Sequence, residues 1–208
     1  MLYTNTVNAE TLELLKKLQK LEFLKLTRLV GGTALALQFG HRESIDLNFF
    51  GQIDITTEAV KSNLLKIGKT ETISASKNIN IFTINGTKTD FVNYPFNWLF
   101  PALQIENIVL ADIRDIAAMK LSAITNRGTK KDFVDIYYIL KQYSFNDILS
   151  FYQKKYNESS LFLVLKSFAY FSDADAEPMP VMKDTILWND IKFFLKNEIK
   201  QFEKKNRF

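Results

Sequence analysis

Cysteine is absent from the 208 residues, and histidine occurs once, as His41. The first absence excludes a disulfide framework and any thiolate metal site. The second excludes multi-histidine zinc sites and makes a Ser-His nucleophile depend on one residue. No uncharged apolar run approaches the ~20 residues of a membrane-spanning helix. Residues 1–10 are polar and lack the apolar centre of a signal peptide, so a reducing cytoplasm is the expected location and no membrane partner is expected. Neither an internal repeat nor a low-complexity segment is present. Strong charge of one sign is missing too: 27 Lys and Arg against 23 Asp and Glu give +4. That balance is compatible with a polyanionic partner without establishing one. What the chain does have is core material. It is 47% apolar, with 18 Phe and eight Tyr, and 24% charged, an ordinary globular composition.

This length allows one large domain or two small ones. A helical period begins after Asn8, a suitable N-cap, with Leu12, Leu15, Leu18, Leu21 and Leu24 as its apolar stripe. A short strand over 28–30 leads into Gly31-Gly32, followed by a helix through Phe39 that Thr33 caps and Gly40 ends. A second strand is expected over 44–50, and a helix over 57–67. Two β-rich runs, 79–84 and 87–92, flank Asn85-Gly86, which predicts a hairpin with a type I′ turn. Residues 97–111 read as a connector. Helices then follow over 113–126, with Asp112 and Asp115 at capping-box spacing, over a stretch from Thr129 to Leu140, and over 146–156, 159–171 and 186–204. The acidic, proline-containing stretch 172–184 reads as a surface loop. The expected class is α+β: an N-terminal mixed sheet with flanking helices over 1–108, then a C-terminal helical bundle over 109–208.

The chemistry-bearing residues concentrate between Val30 and Phe50. A glycine pair lets backbone approach a phosphate, and the amides at a helix N-terminus favour an anion. On the following strand Ser44, Asp46 and Asn48 would share one face, with Ile45, Leu47 and Phe49 directed into a core. Asp90 is a second strand-borne carboxylate. Hard oxygen ligands of this kind hold Mg²⁺, and phosphoryl-transfer catalysis is largely positioning and charge neutralisation. Asn48 offers a neutral carbonyl oxygen and removes one negative charge. In the helical half, Lys120, flanked by small and apolar residues, could reach a phosphate, with Arg127 and Asp132 on the same helical hairpin. Each feature also has a bland reading. Gly-Gly-Thr can be a turn and a cap, Asp46 and Asp90 solvated strand faces, Asp132 part of a helix start, and Lys120 a snorkelling surface lysine. The C-terminal lysines read as a solvated face, with RNA or a partner as the alternative.

In combination, Gly31-Gly32-Thr33-Ala34-Leu35-Ala36-Leu37, His41-Arg42-x-Ser44-x-Asp46-Leu47-Asn48-Phe49-Phe50 and Met119-Lys120-Leu121 through Arg127-Gly128 to Lys131-Asp132-Phe133-x-Asp135-Ile136-Tyr137 resemble the AbiEii/AbiGii toxin-type nucleotidyltransferases of the polymerase-β-like superfamily. The resemblance spans roughly residues 28–140. It implies a nucleotidyltransferase core with a helical C-terminal domain, Mg²⁺ (or Mn²⁺) dependence, and transfer of NMP from an NTP. The acceptor would be an RNA, such as a tRNA 3′ end, or a protein, and a cognate antitoxin would be the partner. By position it implies that Gly31, Gly32, Thr33, Arg42 and Ser44 bind nucleotide. Asp46, Asn48 and Asp90 would surround the metal, Lys120 would contact a phosphate, and Asp132 would be the acidic residue of the helical motif. Asp46, Asp90, Lys120 and Asp132 are thus the implied catalytic set. The pattern carries aspartate where this chain has Asn48. Two other readings stand beside the transferase: a catalytically impaired member that binds a nucleotide or a protein, and a plain RNA-binding protein using its basic face.

Overall fold

A computed structural model describes residues 1–157 and 160–206. The chain forms two compact units, Met1–Phe96 with Pro101–Asp112, and Asn97–Phe100 with Ile113–Phe208.

The first unit is built on a seven-stranded mixed sheet in the order β3-β4-β5-β2-β1-β7-β6. Helix α1 (Ala9–Leu18) opens it, with the Asn8 side chain accepting from Thr11 N at 2.7 Å. Its lysines face out while Leu14, Leu15 and Leu18 are buried. Strand β1 (Thr27–Leu29) runs into α2 (Gly31–Phe39). Gly40 ends α2 in the left-handed conformation (φ 72°), as its place after the last apolar residue suggests.

Strand β2 is Leu47–Gly51 and pairs antiparallel with β1. It begins three residues later than periodicity suggests. Ser44 and Asp46 precede the ladder, and Ile45, expected in the core, is 59% exposed. Leu47 and Phe49 are buried as expected. Helix α3 (Thr57–Leu65) is capped by the Thr56 side chain.

Strands β4 (Ile79–Ile84) and β5 (Thr87–Asn93) form the expected hairpin, with Asn85 and Gly86 both at positive φ. β5 then pairs in parallel with β2, and Phe91 stacks on Phe49 at 5.7 Å between ring centres. Three strands lie outside the sequence-based expectation. β3 (Thr70–Ala75) is an edge strand almost wholly exposed on both faces. β6 (Leu103–Ile105) and β7 (Ile108–Leu110) form a hairpin inside the supposed connector, turned by Glu106 and Asn107 at positive φ. β7 pairs in parallel with β1, so the sheet unit runs on to Asp112.

The second unit is helical: α4 (Ile113–Asn126), α5 (Lys130–Leu140), α6 (Phe145–Lys155), α7 (Leu161–Phe168), the short α8 (Ser172–Asp175) and α9 (Trp188–Asn206). The helix expected over 159–171 would begin at Ser159, which lies outside the described residues. A capping box between Ser144 and Asp147 starts α6. Phe133, Phe171 and Trp188 form a triangle of rings, with Phe133 at 4.8 and 6.1 Å from the other two and those two 5.9 Å apart, between ring centres.

The stretch 172–184 is more than a solvated loop, because it includes α8 and is tied down by side chains. Glu177 Oε2 accepts from the Lys130 amide at 2.8 Å, Asp175 accepts from Trp188 Nε1 and Lys192 Nζ, and Asp184 accepts from the Tyr138 hydroxyl. Asp115 reaches beyond the start of α4. Its carboxylate accepts from the Leu99 and Phe100 amides at 3.0 Å each and from Lys155 Nζ at 2.7 Å. That arrangement explains why Asn97–Phe100 belongs to the helical unit. Lys155 also donates to the Asn97 carbonyl at 3.0 Å and sits 4.7 Å from the Trp98 ring centre.

Candidate functional site

In the sheet unit the candidate residues gather where β1 turns into α2. Val30 is extended and Gly31 takes φ 72°, so the helix starts directly at Gly31. Thr33 therefore lies inside α2 and is not its cap. Its hydroxyl instead meets the Ser44 hydroxyl at 2.8 Å and donates to the Asp46 carbonyl. This bond fastens the segment leading into β2 onto the first turn of α2. The N-cap residue, Val30, makes no side-chain cap bond, which leaves that end with the partial positive charge of its first amides.

The two glycines have separate reasons to be there. A Cβ on Gly31 would lie 3.1 Å from Asn48 Nδ2, in a conformation that side chains rarely adopt. A Cβ on Gly32 would collide with the Arg42 guanidinium and lie 3.4 Å from Ser44 Oγ. Arg42 cannot swing away cheaply, because it is buried and donates from Nη1 to the Glu43 carbonyl at 2.9 Å. A cation and a helix N-terminus thus meet at Gly32, both favouring an anion there.

The acidic side of the cluster follows from strand register. Asn48 lies directly across from Asp90 in the parallel β2–β5 pair, so both project from one face of the sheet. Asn48 in turn abuts Gly31. Asp46, Asn48 and Asp90 are all half-buried, while their neighbours Leu47, Phe49 and Phe91 fill the core on the opposite face. Asp90 is accompanied by Lys88 at 3.3 Å. The Asp46 carboxylate takes no hydrogen bond or ion pair from any described residue. Gly31, Gly32, Thr33, Arg42, Ser44, Asp46, Asn48 and Asp90 therefore form one continuous neighbourhood. It can offer an anion backbone amides and a guanidinium, and a cation hard oxygen atoms.

Lys120 and Asp132 belong to the helical unit, where they meet each other. Lys120 Nζ is 2.9 Å from Asp132 Oδ1 and 2.5 Å from Asp135 Oδ2, and all three side chains are nearly inaccessible to solvent. Lys120 is thus no snorkelling surface residue. The Thr129 hydroxyl donates to Asp132 Oδ2 at 2.7 Å, and Arg127 Nε stands 3.4 Å away. Thr129 keeps its place before α5, but its side chain serves this carboxylate and not a backbone amide. Burial alone would push Asp132 up. The Lys120 charge, the Thr129 and Lys120 hydrogen bonds and the Arg127 charge outweigh it and hold the carboxyl below its usual range. Asp135 had no assigned role in the sequence-based reading. Its place one turn after Asp132 on α5 is the signal that could have found it.

Among the described residues, no group of three or more His, Asp or Glu could hold a metal ion, and no helix is long and apolar enough to cross a membrane.

Comparison with known proteins identifies the family. Residues 13–96 and 78–204 match the family model described as nucleotidyl transferase AbiEii toxin, Type IV TA system. An uncharacterized protein of Aquifex aeolicus (strain VF5), aq_aa25, is 29% identical over 203 residues, covering 93% of this chain and 96% of that protein. Among solved structures, JHP933 from Helicobacter pylori superposes with a TM-score of 0.59 at 19% identity, covering 96% of this chain and 94% of that one. MenT4, a nucleotidyltransferase toxin from Mycobacterium tuberculosis H37Rv, gives 0.52 at 13% identity, covering 92% and 84%. These two likenesses concern the fold. The family match spans nearly the whole molecule, and the chain belongs to the AbiEii nucleotidyltransferase toxin family.

Proposed function

We propose that the protein transfers a nucleoside monophosphate from an NTP to an RNA or protein acceptor, using the neighbourhood at the start of α2. The observation that carries this reading is the register of Asn48 against Asp90 beside Gly31, which sets oxygen ligands next to a helix N-terminus that Val30 does not cap. In this reading the amides of Gly31, Gly32 and Thr33 and the guanidinium of Arg42 receive the phosphates. Ser44, through Thr33, keeps that turn in place.

Asp46, Asp90 and the Asn48 carbonyl are hard donors suited to Mg²⁺ or Mn²⁺. Two carboxylates and an amide fit one cation shared with the nucleotide's own phosphate oxygens, and do not fit two cations bridged by a carboxylate pair. When bound, the cation supplies charge neutralisation at the phosphates undergoing transfer. The Lys120–Asp132–Asp135 cluster enters this reading as internal support of the helical unit, because its ammonium already faces two carboxylates. A cognate antitoxin and a cytoplasmic location accompany the toxin reading.

Asn48 specifically favours a second reading, in which the nucleotide is held without transfer. Incubation with each labelled NTP, Mg²⁺ or Mn²⁺, and RNA or protein pools tests both. Transferase activity predicts label in one acceptor, and a loss on the order of 10²-fold or more in Asp90→Ala. An inert protein that binds nucleotide and gains transfer as Asn48→Asp supports the second reading. An inert protein that binds no nucleotide overturns both.

A further inference from the structure

Strand β5 carries a lysine two residues before Asp90. Lys88 Nζ lies 3.3 Å from Asp90 Oδ1 and 3.4 Å from Oδ2, astride the carboxylate. Among the described residues Lys88 meets no other carboxylate. Positions 88 and 90 fall on one face of the sheet, the face where Asn48 abuts Gly31. Carried back one residue from Leu47 against Thr89, the parallel register sets Lys88 level with Asp46. β5 and β1 flank β2 on opposite sides, so Lys88 stands across Asp46 and Asn48 from the α2 turn. A triphosphate laid from the Gly31 and Gly32 amides over Asn48 would have the Arg42 guanidinium at one flank and the Lys88 ammonium at the other.

The same spacing occurs at Lys69 and Glu71, 2.9 Å apart at the start of edge strand β3, where the two side chains are 82% and 64% exposed. That pair is a solvated ion pair of little consequence. Lys88 and Asp90 stand in a different setting. β5 lies inside the sheet, between β4 and β2, and the Asp90 side chain is 18% exposed against 45% for Lys88. The carboxylate is held within the site, while the ammonium rides a flexible stem that reaches water. Because Asn48 is neutral, the two carboxylates Asp46 and Asp90 and the one ammonium leave a single negative charge. A divalent cation arriving alone meets that weak charge, with a lysine already on one of its ligands. A triphosphate reverses the balance, since it supplies negative charge to the cation and a partner to the ammonium.

We propose that Lys88 is a phosphate ligand that exchanges partners. It neutralises Asp90 in the free protein and moves onto the triphosphate when nucleotide and cation arrive together. Cation binding thereby depends on nucleotide. The exchange rests on the site of the proposed function. It places the phosphate-contacting lysine in the sheet unit, since Lys120 faces Asp132 and Asp135 within the helical unit.

The test follows Lys88→Met through two binding measurements on the full chain. Mn²⁺ alone, titrated by the paramagnetic resonance signal of the free ion, should bind the variant about threefold or more tighter than the wild type, because a competing ammonium has left the carboxylate. Mg²⁺-saturated inorganic tripolyphosphate, titrated calorimetrically, should bind the variant about tenfold or more weaker. A lysine that merely supports the strand would move both affinities the same way or neither. Lys88→Arg keeps the charge and should bring tripolyphosphate binding back toward that of the wild type. Lys69→Met, the same charge change at the edge pair, should alter neither affinity. The proposal is overturned if the wild type binds no tripolyphosphate, if Lys88→Met binds it as tightly as the wild type, if Mn²⁺ binds that variant no tighter, or if Lys69→Met loses as much. Label transfer is scored separately. A protein that shows both shifts yet transfers nothing fails the proposed function and leaves the exchange standing. One that transfers NMP and shows neither shift does the reverse.

Discussion

The carboxylates of the two units stand in opposite circumstances. In the helical unit Asp115, Asp132 and Asp135 are buried, and each is met by a lysine within 3 Å. In the sheet unit Asp46 and Asp90 are half-buried and border on water, and the Asp46 carboxylate takes nothing from any described residue. A charge moved out of water must be neutralised where it stands, and in the buried set the lysines do so, joining helices and, through Asp115, the 97–100 segment. A charge left at the surface of a strand face is still available to a ligand. The difference separates buried carboxylates that each face a lysine from Asp46, which no described residue engages, and from Asp90, which has Lys88 at 3.3 Å and a half-buried place on its strand.

The largest effect should come from breaking the buried set. Lys155→Met strands the Asp115 carboxylate, which is 0% exposed along with its partner. It should lower the unfolding free energy by about 3–5 kcal/mol in a urea titration. Adding Asp115→Asn should return part of that loss, since the stranded charge is then gone. If both variants unfold like the wild type, the buried pair does not commit these residues to the fold.

Lys120→Met should be milder, about 3 kcal/mol, because Arg127 and Thr129 still serve Asp132. It should also flatten the acid limb of the stability profile. Asp132 is held below its unfolded value. Its contribution is therefore present above the unfolded carboxyl pKa of about 4 and lost as pH falls through the lower folded value. Urea midpoints measured from about pH 5 downward should fall more steeply in the wild type than in the variant. Parallel limbs would remove the electrostatic account of this cluster.

Gly31→Ala should be smaller still in stability, about 1–2 kcal/mol for a side chain forced to positive φ. It should nonetheless weaken nucleotide binding, because the new Cβ presses on Asn48 beside Asp90. Calorimetric titration with an NTP checks this. Unchanged affinity would mean that the turn is structural only.

Much of this arrangement is legible in the sequence, for local reasons. Asn85-Gly86 dictates its turn by backbone preference, and Gly40 its helix end, so both are found where residue chemistry puts them. The helices of the second unit follow from apolar periodicity, with ends displaced by a few residues. Strand β3 is not legible because an edge strand exposed on both faces has no apolar alternation. The β6–β7 hairpin hides because each strand is three residues long and its turn uses Glu106 and Asn107 without glycine. Thr33 sits at a believable cap position, yet Gly31 already turns the chain and frees the hydroxyl for Asp46 and Ser44. The Asp115–Lys155 pair joins residues 40 apart and leaves no local trace. At the candidate site, composition names the residues of the α2 turn, but only strand register brings Asn48 against Asp90.

The most direct test of the contrast is Asp46→Ala, followed in parallel by labelled NMP transfer and by thermal unfolding. A half-buried carboxylate kept for a ligand predicts that transfer falls on the order of 10²–10³-fold while the melting temperature stays at that of the wild type. Transfer that survives the substitution, or a loss of activity that merely follows a lowered melting temperature, would contradict it.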